Sequence, residues 1–230
     1  MSDYWQGHYD AATLDFDGAL LKQVGKTVNG VEVPEGQLAL IVGNIISLLV
    51  LDKADVLADL CCGNGLITRR LAPFVREVVG IDFSLGLIET AKRTCPLANI
   101  EYRHADVTDL PGGFFGRFGK VLMYEALQHF SEAQFGHLLG QLVALAPGAK
   151  VLLGSIPDAE RLRDYYDTEE KYEFYLQRER EGRPHMGRWW HFDEIARSAE
   201  PYGFKVQRIP QPQALYTAYY RFDVLLERAA

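Results

Sequence analysis

Short apolar runs alternate with helix-length segments through the middle of the chain. Five runs have the length and composition of buried strands: Val56 to Leu60, Val78 to Ile81, Ile100 to His104, Lys120 to Met123 and Lys150 to Leu153. The segments between them include three with helical spacing of apolar positions: Leu66 to Ala72, Leu85 to Thr94 and Glu132 to Leu145. This alternation predicts a parallel sheet with helices packed on its faces.

The pattern changes after the fifth of these strands. Residues 157–191 are rich in aromatic and charged side chains and are too long for a simple connection, so we expect a mostly helical insert that acts as a lid. A helix follows from Phe192 to Glu200, and two further strands, Phe204 to Ile209 and Tyr220 to Leu226, close the chain. No room for a helix remains between these two strands, which predicts an antiparallel hairpin.

The predicted elements together give a fold class and a domain organisation. We expect an α/β fold with a doubly wound, mostly parallel, seven-stranded sheet and an antiparallel C-terminal hairpin. Residues 1–230 form one domain, with a helical cap over 1–51, a core over 52–156, the insert over 157–191, and the last helix and hairpin over 192–230. In the cap, Asp3 to Leu51 is predicted to form two helices separated by an Asn29-Gly30 turn.

Charge and composition narrow the classes of function. With 24 basic and 31 acidic residues the formal net charge is −7, so no chain-wide basic field attracts a nucleic acid or an anionic membrane. The apolar stretch from Leu38 to Leu51 is too short to cross a bilayer. Met1 to Gln6 shows no secretory signal, so we expect a cytoplasmic protein without a membrane partner.

The cysteines argue against a disulfide framework and against zinc. The chain has three, of which Cys61 and Cys62 are adjacent, and no Cys-x-x-Cys pair occurs. No set of histidines and carboxylates has the spacing of metal ligands either. We therefore expect reduced thiols and no metal.

Candidate chemistry lies where the predicted strands end. The first strand runs through Asp59 into a Gly63-Asn64-Gly65 turn and then into a helix, an arrangement that exposes backbone N–H groups to a ligand. Asp82 ends the second strand, where a carboxylate suits the two hydroxyls of a ribose, and Asp106 follows the third. The carboxyl ends of parallel strands meet at one edge, so these carboxylates are predicted to face one crevice.

In these motifs the sequence resembles the class I S-adenosylmethionine-dependent methyltransferases of the small-molecule type. The resemblance covers roughly Asp55 to Ala230, including the terminal hairpin, and implies S-adenosylmethionine as cofactor. Cys61 stands where the family most often has glycine. The resemblance implies cofactor contacts from ten residues: Asp59, Cys61, Gly63, Asn64 and Gly65 around the methionine part, Asp82 at the ribose, and Phe83, Asp106, Val107 and Tyr124 around the adenosine.

Other ligands of a glycine turn fit less well. An NAD fingerprint needs a small apolar residue where Thr68 stands, and Asp59 would be anomalous there. Gly25-Lys26-Thr27 imitates a phosphate loop, but Leu20 occupies the position of its first glycine. A glycine turn alone is compatible with any strand-to-helix connection. The ordered set of acidic strand ends and the final hairpin favour cofactor binding.

His129 is the candidate catalytic residue. It lies after the fourth strand in a Glu-x-x-x-His segment that is common there in small-molecule methyltransferases, which it resembles. Methyl transfer is an in-line displacement, and a hydroxyl acceptor must also lose its proton to a base. A purely structural histidine, which caps the next turn or satisfies a buried carbonyl, is equally compatible with the sequence.

The acceptor is predicted to meet an aromatic wall. The insert and the turn over 210–220 emerge at the carboxyl edge of the sheet, which brings four candidate acceptor-binding residues to it: Trp190, His191, Tyr216 and Tyr219. The same rings are also compatible with ordinary packing between the insert and the sheet.

The sequence thus favours methyl transfer to a small molecule, with a hydroxyl oxygen preferred because a histidine base is at hand. Two alternatives stay open. One is N-methylation of an amine or an amino sugar, and the other is a catalytically silent cofactor-binding subunit that holds a partner protein through the insert. A nucleic-acid methyltransferase ranks last, because neither an Asn-Pro-Pro-Tyr motif nor an arginine-rich arm is present.

Overall fold

The computed structural model describes residues 3–14 and 18–229. Met1 and Ser2, which open the polar start discussed above, lie outside the described residues, as do 15–17 and 230. The strands are β1 (Thr27–Val28), β2 (Val31–Glu32), β3 (Val56–Leu60), β4 (Glu77–Asp82), β5 (Ile100–His104), β6 (Lys120–Tyr124), β7 (Lys150–Pro157), β8 (Phe204–Pro210) and β9 (Arg221–Arg228). The helices are α1 (Asp3–Leu14), α2 (Leu20–Gln23), α3 (Glu35–Leu49), α4 (Thr68–Leu71), α5 (Leu85–Thr94), α6 (Glu132–Leu142), α7 (Leu162–Tyr165), α8 (Glu169–Arg180) and α9 (Phe192–Ala199).

A seven-stranded sheet forms the centre of the protein, with strand order β5-β4-β3-β6-β7-β9-β8. Strands β3 to β7 pair in parallel, and β9 runs antiparallel between β7 and β8. The chain therefore winds from β3 towards one edge and then, from β6 on, towards the other. This confirms the predicted doubly wound fold and its C-terminal hairpin.

Helices cover both faces of the sheet, which explains why the strands read as continuous apolar runs. All five residues of β3 are buried. On one face Leu38, Ile41 and Ile45 of α3 pack against the sheet, and on the other α6 and α9 supply Phe135 and Ile195. The predicted strand positions follow directly from this sandwich of layers.

Serine caps set where two helices begin. The Ser84 side chain accepts a hydrogen bond from the Leu87 backbone N–H, and α5 has the predicted bounds. Ser131 and Gln134 form a reciprocal capping box at the start of α6. Helix α4 is shorter than predicted and passes into a 3₁₀ turn over Ala72–Phe74, because Pro73 has no N–H for a helical bond.

The prediction of two helices separated by Asn29-Gly30 was wrong in one respect. Asn29 and Gly30 form the two-residue turn of a hairpin between β1 and β2, with φ of +50° and +76°. Paired positive φ values are typical of the mirror-image turn that matches the strand twist, and Asn-Gly is its preferred sequence. Helix α3 follows this hairpin, and α1 and α2 precede it.

The insert leaves the sheet and returns to it at a single point. Pro157 and Ala159 exchange backbone hydrogen bonds with Trp190, at 2.9 and 3.0 Å. Between these positions the chain is helical over 159–165 and 169–180 and irregular from 181 to 189. In residues 3–14 and 18–229, no helix has both the length and the apolar character that crossing a bilayer requires.

Candidate functional site

A cavity of about 240 Å³ opens at the carboxyl edge of the sheet, where β3, β4 and β6 end. This edge contains the point at which the strand order reverses, where ligands bind in doubly wound folds. Helix α1, the segment before β1 and the irregular part of the insert complete the wall. The lining includes Trp5, His8, Tyr9, Val24, Gly25, Lys26, Asp59, Cys61, Cys62, Gly63, Asn64, Asp82, Phe83, Tyr124, Glu125, Gln128, His129, His185, Met186 and Arg221.

Asp82 holds the glycine turn against the end of β4. Its two carboxylate oxygens accept hydrogen bonds from the backbone N–H groups of Gly63, at 2.8 Å, and Ser84, at 2.9 Å. Cys61 and Gly63 both have φ near +57°, so the turn doubles back tightly. Each oxygen of a carboxylate can accept a further bond, so Asp82 remains able to receive hydroxyl groups.

Two residues of the turn have structural partners that explain their type. A Cβ atom at Gly65, where φ is +76°, would collide with the Tyr102 hydroxyl, so packing behind the turn requires glycine there. Gly65 is not part of the cavity lining. The fully buried Asn64 donates its amide to the Leu20 carbonyl and to Gln23 Oε1, both at 2.8 Å, and thereby ties α2 to the turn.

Asp59 is a buried carboxylate that accepts a hydrogen bond from a hydroxyl group. The Thr68 Oγ1 donates to Asp59 Oδ2 over 2.6 Å. Burial raises the pKa of Asp59 to about 7, against the hydrogen bond from Thr68 and with a contribution from the Asp82 charge. Burial likewise raises the pKa of Asp82 to about 6. Thr68, which argued against an NAD site, therefore orients Asp59.

The raised pKa of Asp59 predicts a pH-dependent stability difference. Its unfolded pKa is near 3.8, so the stabilisation of the folded state by protonated Asp59 is complete below that value and is lost as pH rises through about 7. Relative to the natural chain, Asp59→Asn is expected to gain about 2–3 kcal/mol of unfolding free energy between pH 5 and pH 8. Urea unfolding at both pH values measures this. Exposed Asp109→Asn should show no such change, and an equal result for both variants would contradict the buried charge.

A buried ion pair lies beside the end of β6. Lys26 Nζ is 2.6 Å from Glu125 Oε2, and the Ser155 hydroxyl donates to Glu125 Oε1 over 3.3 Å. Arg221, the first residue of β9, donates from Nη1 to the Ser155 carbonyl. Burial raises the pKa of Glu125, but Lys26 and Arg221 outweigh it and hold the pKa below its ordinary value. Glu125 is therefore ionised at neutral pH.

His129 faces the cavity from the 3₁₀ turn after β6. Its Nε2 is 3.0 Å from the Tyr9 hydroxyl, and the Trp5 ring packs on the imidazole with centroids 4.1 Å apart. Burial, with a smaller effect of Arg221, lowers the pKa of His129 to about 3, so the ring is neutral at physiological pH. The imidazole thus contacts the Tyr9 hydroxyl of α1. A purely structural histidine was expected to cap the next turn or to bind a buried backbone carbonyl.

The structure brings most of the predicted cofactor residues together. Asp59, Cys61, Gly63, Asn64, Asp82, Phe83 and Tyr124 line the cavity with His129. Asp106 lies in a smaller neighbouring recess bordered by Thr108, Phe130 and Gln134, and accepts hydrogen bonds from the Thr108 backbone and hydroxyl. Val107 is buried in the apolar core.

The four predicted acceptor residues lie away from this cavity. Trp190 is fully buried in the core and donates its indole N–H to the Leu127 carbonyl. His191 caps α9 beside another recess, and Tyr216 packs with the apolar cluster around α3. Tyr219 is 54% exposed and stacks on Tyr165. Ordinary packing, the alternative interpretation of these rings, describes Trp190 and Tyr216. Helix α1 and residues 185–186 line the cavity instead.

The site residues predicted from the sequence leave out several charged or polar residues of the cavity, among them Tyr9, Lys26 and Arg221. Lys26 belongs to the string set aside as a false phosphate loop, and Tyr9 lies on α1. The sequence offered one indication for Arg221, because a charged residue at the start of an apolar strand is unusual. In the structure this side chain is only 9% exposed. For metals, the described part of the chain contains no cluster of three His, Cys, Asp or Glu side chains able to hold an ion.

Sequence comparison connects this geometry to known proteins. Residues 57–148 match the sequence profile of a family described as a methyltransferase domain. Over 64 residues the chain is 45% identical to the 2-phytyl-1,4-naphtoquinone methyltransferase of Nostoc sp., which is 25% of this chain and 28% of that protein. Over 70 residues it is 37% identical to tRNA (uracil-5-)-methyltransferase homolog A of Mus musculus, 29% of this chain and 11% of that protein. The chain therefore spans less than a third of the length of these curated relatives.

Structural comparison extends the likeness over nearly the whole chain. The magnesium protoporphyrin IX methyltransferase of Synechocystis PCC 6803, solved with bound S-adenosylmethionine, aligns with a TM-score of 0.60. The alignment covers 99% of this chain and 94% of that one at 16% identity, which shows a shared fold. Residues 57–148 are thus similar in sequence to methyltransferase domains, and the chain as a whole shares the fold of this methyltransferase.

Proposed function

We propose that this protein transfers the methyl group of S-adenosylmethionine to an oxygen atom of a small-molecule acceptor. The observation that carries the proposal is that one cavity contains both halves of the required chemistry. The glycine turn with Asp59 and Asp82 lines this cavity, and so does a neutral His129 whose Nε2 is 3.0 Å from the Tyr9 hydroxyl.

The residues present fit the cofactor. Asp59 is buried, and no cationic side chain of the described residues forms an ion pair with it within 4.0 Å. A buried carboxylate without a counter-ion is costly, and the cofactor's ammonium group would supply the missing cation. Asp82 would receive the ribose hydroxyls, while Phe83 and Tyr124 offer ring surfaces along the same wall. Asp106, in the adjoining recess, and the Val107 backbone remain candidates for the adenine edge.

His129 is the candidate residue that would take the acceptor's proton. The cofactor supplies an activated methyl group on a positively charged sulfonium. When a hydroxyl oxygen accepts that methyl, the O–H proton must leave, and a neutral imidazole can receive it. An imidazolium at this buried position is unfavourable, because burial lowers the pKa of His129 to about 3. Glu125, ionised nearby, favours the imidazolium.

The cover of the cavity favours a small acceptor. Helix α1 and the insert meet above it, where Arg178 donates to the Tyr4 hydroxyl over 3.1 Å and that hydroxyl reaches the Pro184 carbonyl at 3.5 Å. We infer that the insert is a lid that opens for exchange. An RNA chain would need a basic approach surface, and the net charge of −7 opposes one, although one relative is named for tRNA.

Product analysis tests the proposal. The purified protein is incubated with S-adenosylmethionine and matched phenol, carboxylic acid and amine acceptors, and mass spectrometry follows S-adenosylhomocysteine and the methylated product. Formation of an O-methyl product is the expected result. An N-methyl product alone would instead support the amine alternative, and saturable cofactor binding without turnover of any acceptor would support the silent subunit. Absence of cofactor binding by the folded protein would overturn all three.

A further inference from the structure

The charged side chains that line the cavity differ between its two sides. In the order of the sheet, Asp82 ends β4, Asp59 lies in β3, Glu125 follows β6, and Arg221 begins β9. Lys26 joins Glu125 from the segment before β1. The side near β4 and β3 is therefore acidic, whereas Lys26 and Arg221 bring two cations to the side near β9. The carboxylates on that side are Glu125 and the buried Asp223, which accepts hydrogen bonds from the Ser155 N–H, Gln211 and Asn44.

Arg221 has hydrogen-bonding capacity that the protein does not use. The residue is 9% exposed and lines the cavity. Its Nη1 donates to the Ser155 carbonyl, but its buried Nε has no hydrogen-bond partner among the described residues. A guanidinium has five N–H donors in a planar fork, and leaving one unpaired in a buried position is unfavourable.

Lys26 is the second cation on this side of the cavity. The side chain is 4% exposed, its Nζ pairs with Glu125 at 2.6 Å, and the same atom lies 4.8 Å from the centre of the Tyr124 ring. Glu125 thus has Lys26 on one side and the field of Arg221 on the other. Lys26 and Glu125 neutralise each other, and the buried Asp223 already accepts hydrogen bonds from three other residues. Within the described part of the chain, the Nε of Arg221 is therefore the donor left without a partner, and an anionic ligand could accept its hydrogen bond.

We propose that Arg221 and Lys26 form an anion subsite that binds a carboxylate of the acceptor, so that the preferred acceptors are aromatic hydroxy acids. The inference rests on the proposed function and names its substrate class. Carboxylate geometry matches the guanidinium fork. The rings of Trp5, Tyr9 and Tyr124 line the same cavity and can pack against an aromatic acceptor. Arg221 and His129 line the same cavity, so the subsite and the candidate base face the same acceptor.

Paired acids and amides test the subsite directly. The protein is first saturated with S-adenosylhomocysteine and then titrated calorimetrically with 2-, 3- and 4-hydroxybenzoate and with the three corresponding hydroxybenzamides. We expect at least one acid to bind about tenfold or more tightly than its amide, a difference of about 1.4 kcal/mol. Equal binding of every pair, or no binding of any acid, would overturn the subsite.

Variants assign the preference to these side chains. Arg221→Met should abolish the acid-over-amide preference, Arg221→Lys should retain part of it, and Arg117→Met should leave it unchanged. Arg117 pairs with Glu77 at the opposite, amino edge of the sheet, so it is a matched control. If Arg221→Met does not fold, Lys26→Met carries the same expectation. A preference that survives in both folded cavity variants would contradict the proposal.

The first titration also separates the two proposals. If S-adenosylhomocysteine itself does not bind, the proposed function fails. If it binds and the acids show no advantage over the amides, the subsite alone is wrong and the methyl-transfer proposal is untouched.

Discussion

Replacing Asp82 with alanine is expected to lower the affinity for S-adenosylhomocysteine by at least about 100-fold. In the proposed complex the carboxylate receives the ribose hydroxyls, and hydrogen bonds to a charged group contribute about 1.5–3 kcal/mol each. The same oxygens hold the backbone N–H groups of Gly63 and Ser84, so the substitution also loosens the glycine turn. Calorimetric titration at pH 8, where Asp82 is ionised, measures the loss.

Two controls make the Asp82 result interpretable. Asp109→Ala removes an exposed carboxylate from the loop after β5 and should bind normally. For the natural protein, the affinity should fall as the pH drops below about 7, because protonated Asp59 no longer pairs with the ammonium group. It should fall further below about 6, where protonated Asp82 loses acceptor capacity, and Asp82→Ala should lack this second decrease. An Asp82→Ala protein that folds and binds within about threefold of the natural one would show that Asp82 is not a cofactor ligand.

The second large effect is expected at His129. If this residue takes the acceptor's proton, His129→Gln should lower kcat by about 10²- to 10⁴-fold, the usual contribution of a general base. The affinity for S-adenosylhomocysteine should change by about twofold or less, because the Tyr9–His129 contact does not involve the glycine turn. Stopped-time assays with the acceptor found by product analysis measure kcat. Calorimetric titration with S-adenosylhomocysteine measures the affinity.

The distinction between a base and a packing residue lies in the controls. His137→Gln, on the exposed face of α6, should have normal kcat. Tyr9→Phe removes the hydroxyl that holds the imidazole and is expected to have a smaller effect than His129→Gln. Near-normal turnover of His129→Gln, or a loss of rate explained wholly by a lower melting temperature, would assign His129 a structural role.

The sequence-predicted residues that line the cavity follow from one local rule. Asp59, Gly63 and Asp82 lie within a few positions of a strand end, and parallel strands bring their carboxyl ends to one edge. The apolar runs that mark these strands were readable because β3 and β4 are buried on both faces. Even here, the sequence did not show why each residue type is required. Position 65 requires glycine because a Cβ atom there would collide with Tyr102 of β5.

The other half of the cavity depends on contacts between distant parts of the chain. Tyr9 meets His129 across 120 positions, and no periodicity relates them. Trp190 and Tyr219, which the sequence predicts as acceptor-binding residues, do not line the cavity, because membership of the insert or of a turn does not say which way a ring points. Trp190 turns into the core, and Tyr219 lies at the surface.

The sequence by itself determined the order of the strands and helices, the terminal hairpin, the glycine turn and the acidic strand ends, because these depend on short-range periodicity and on turn chemistry. Only the tertiary structure decided that α1 covers His129, that Lys26 pairs with Glu125, and that Arg221 enters the cavity. Those contacts arise when separate layers pack together, and the energy of such packing depends on three-dimensional fit rather than on spacing along the chain.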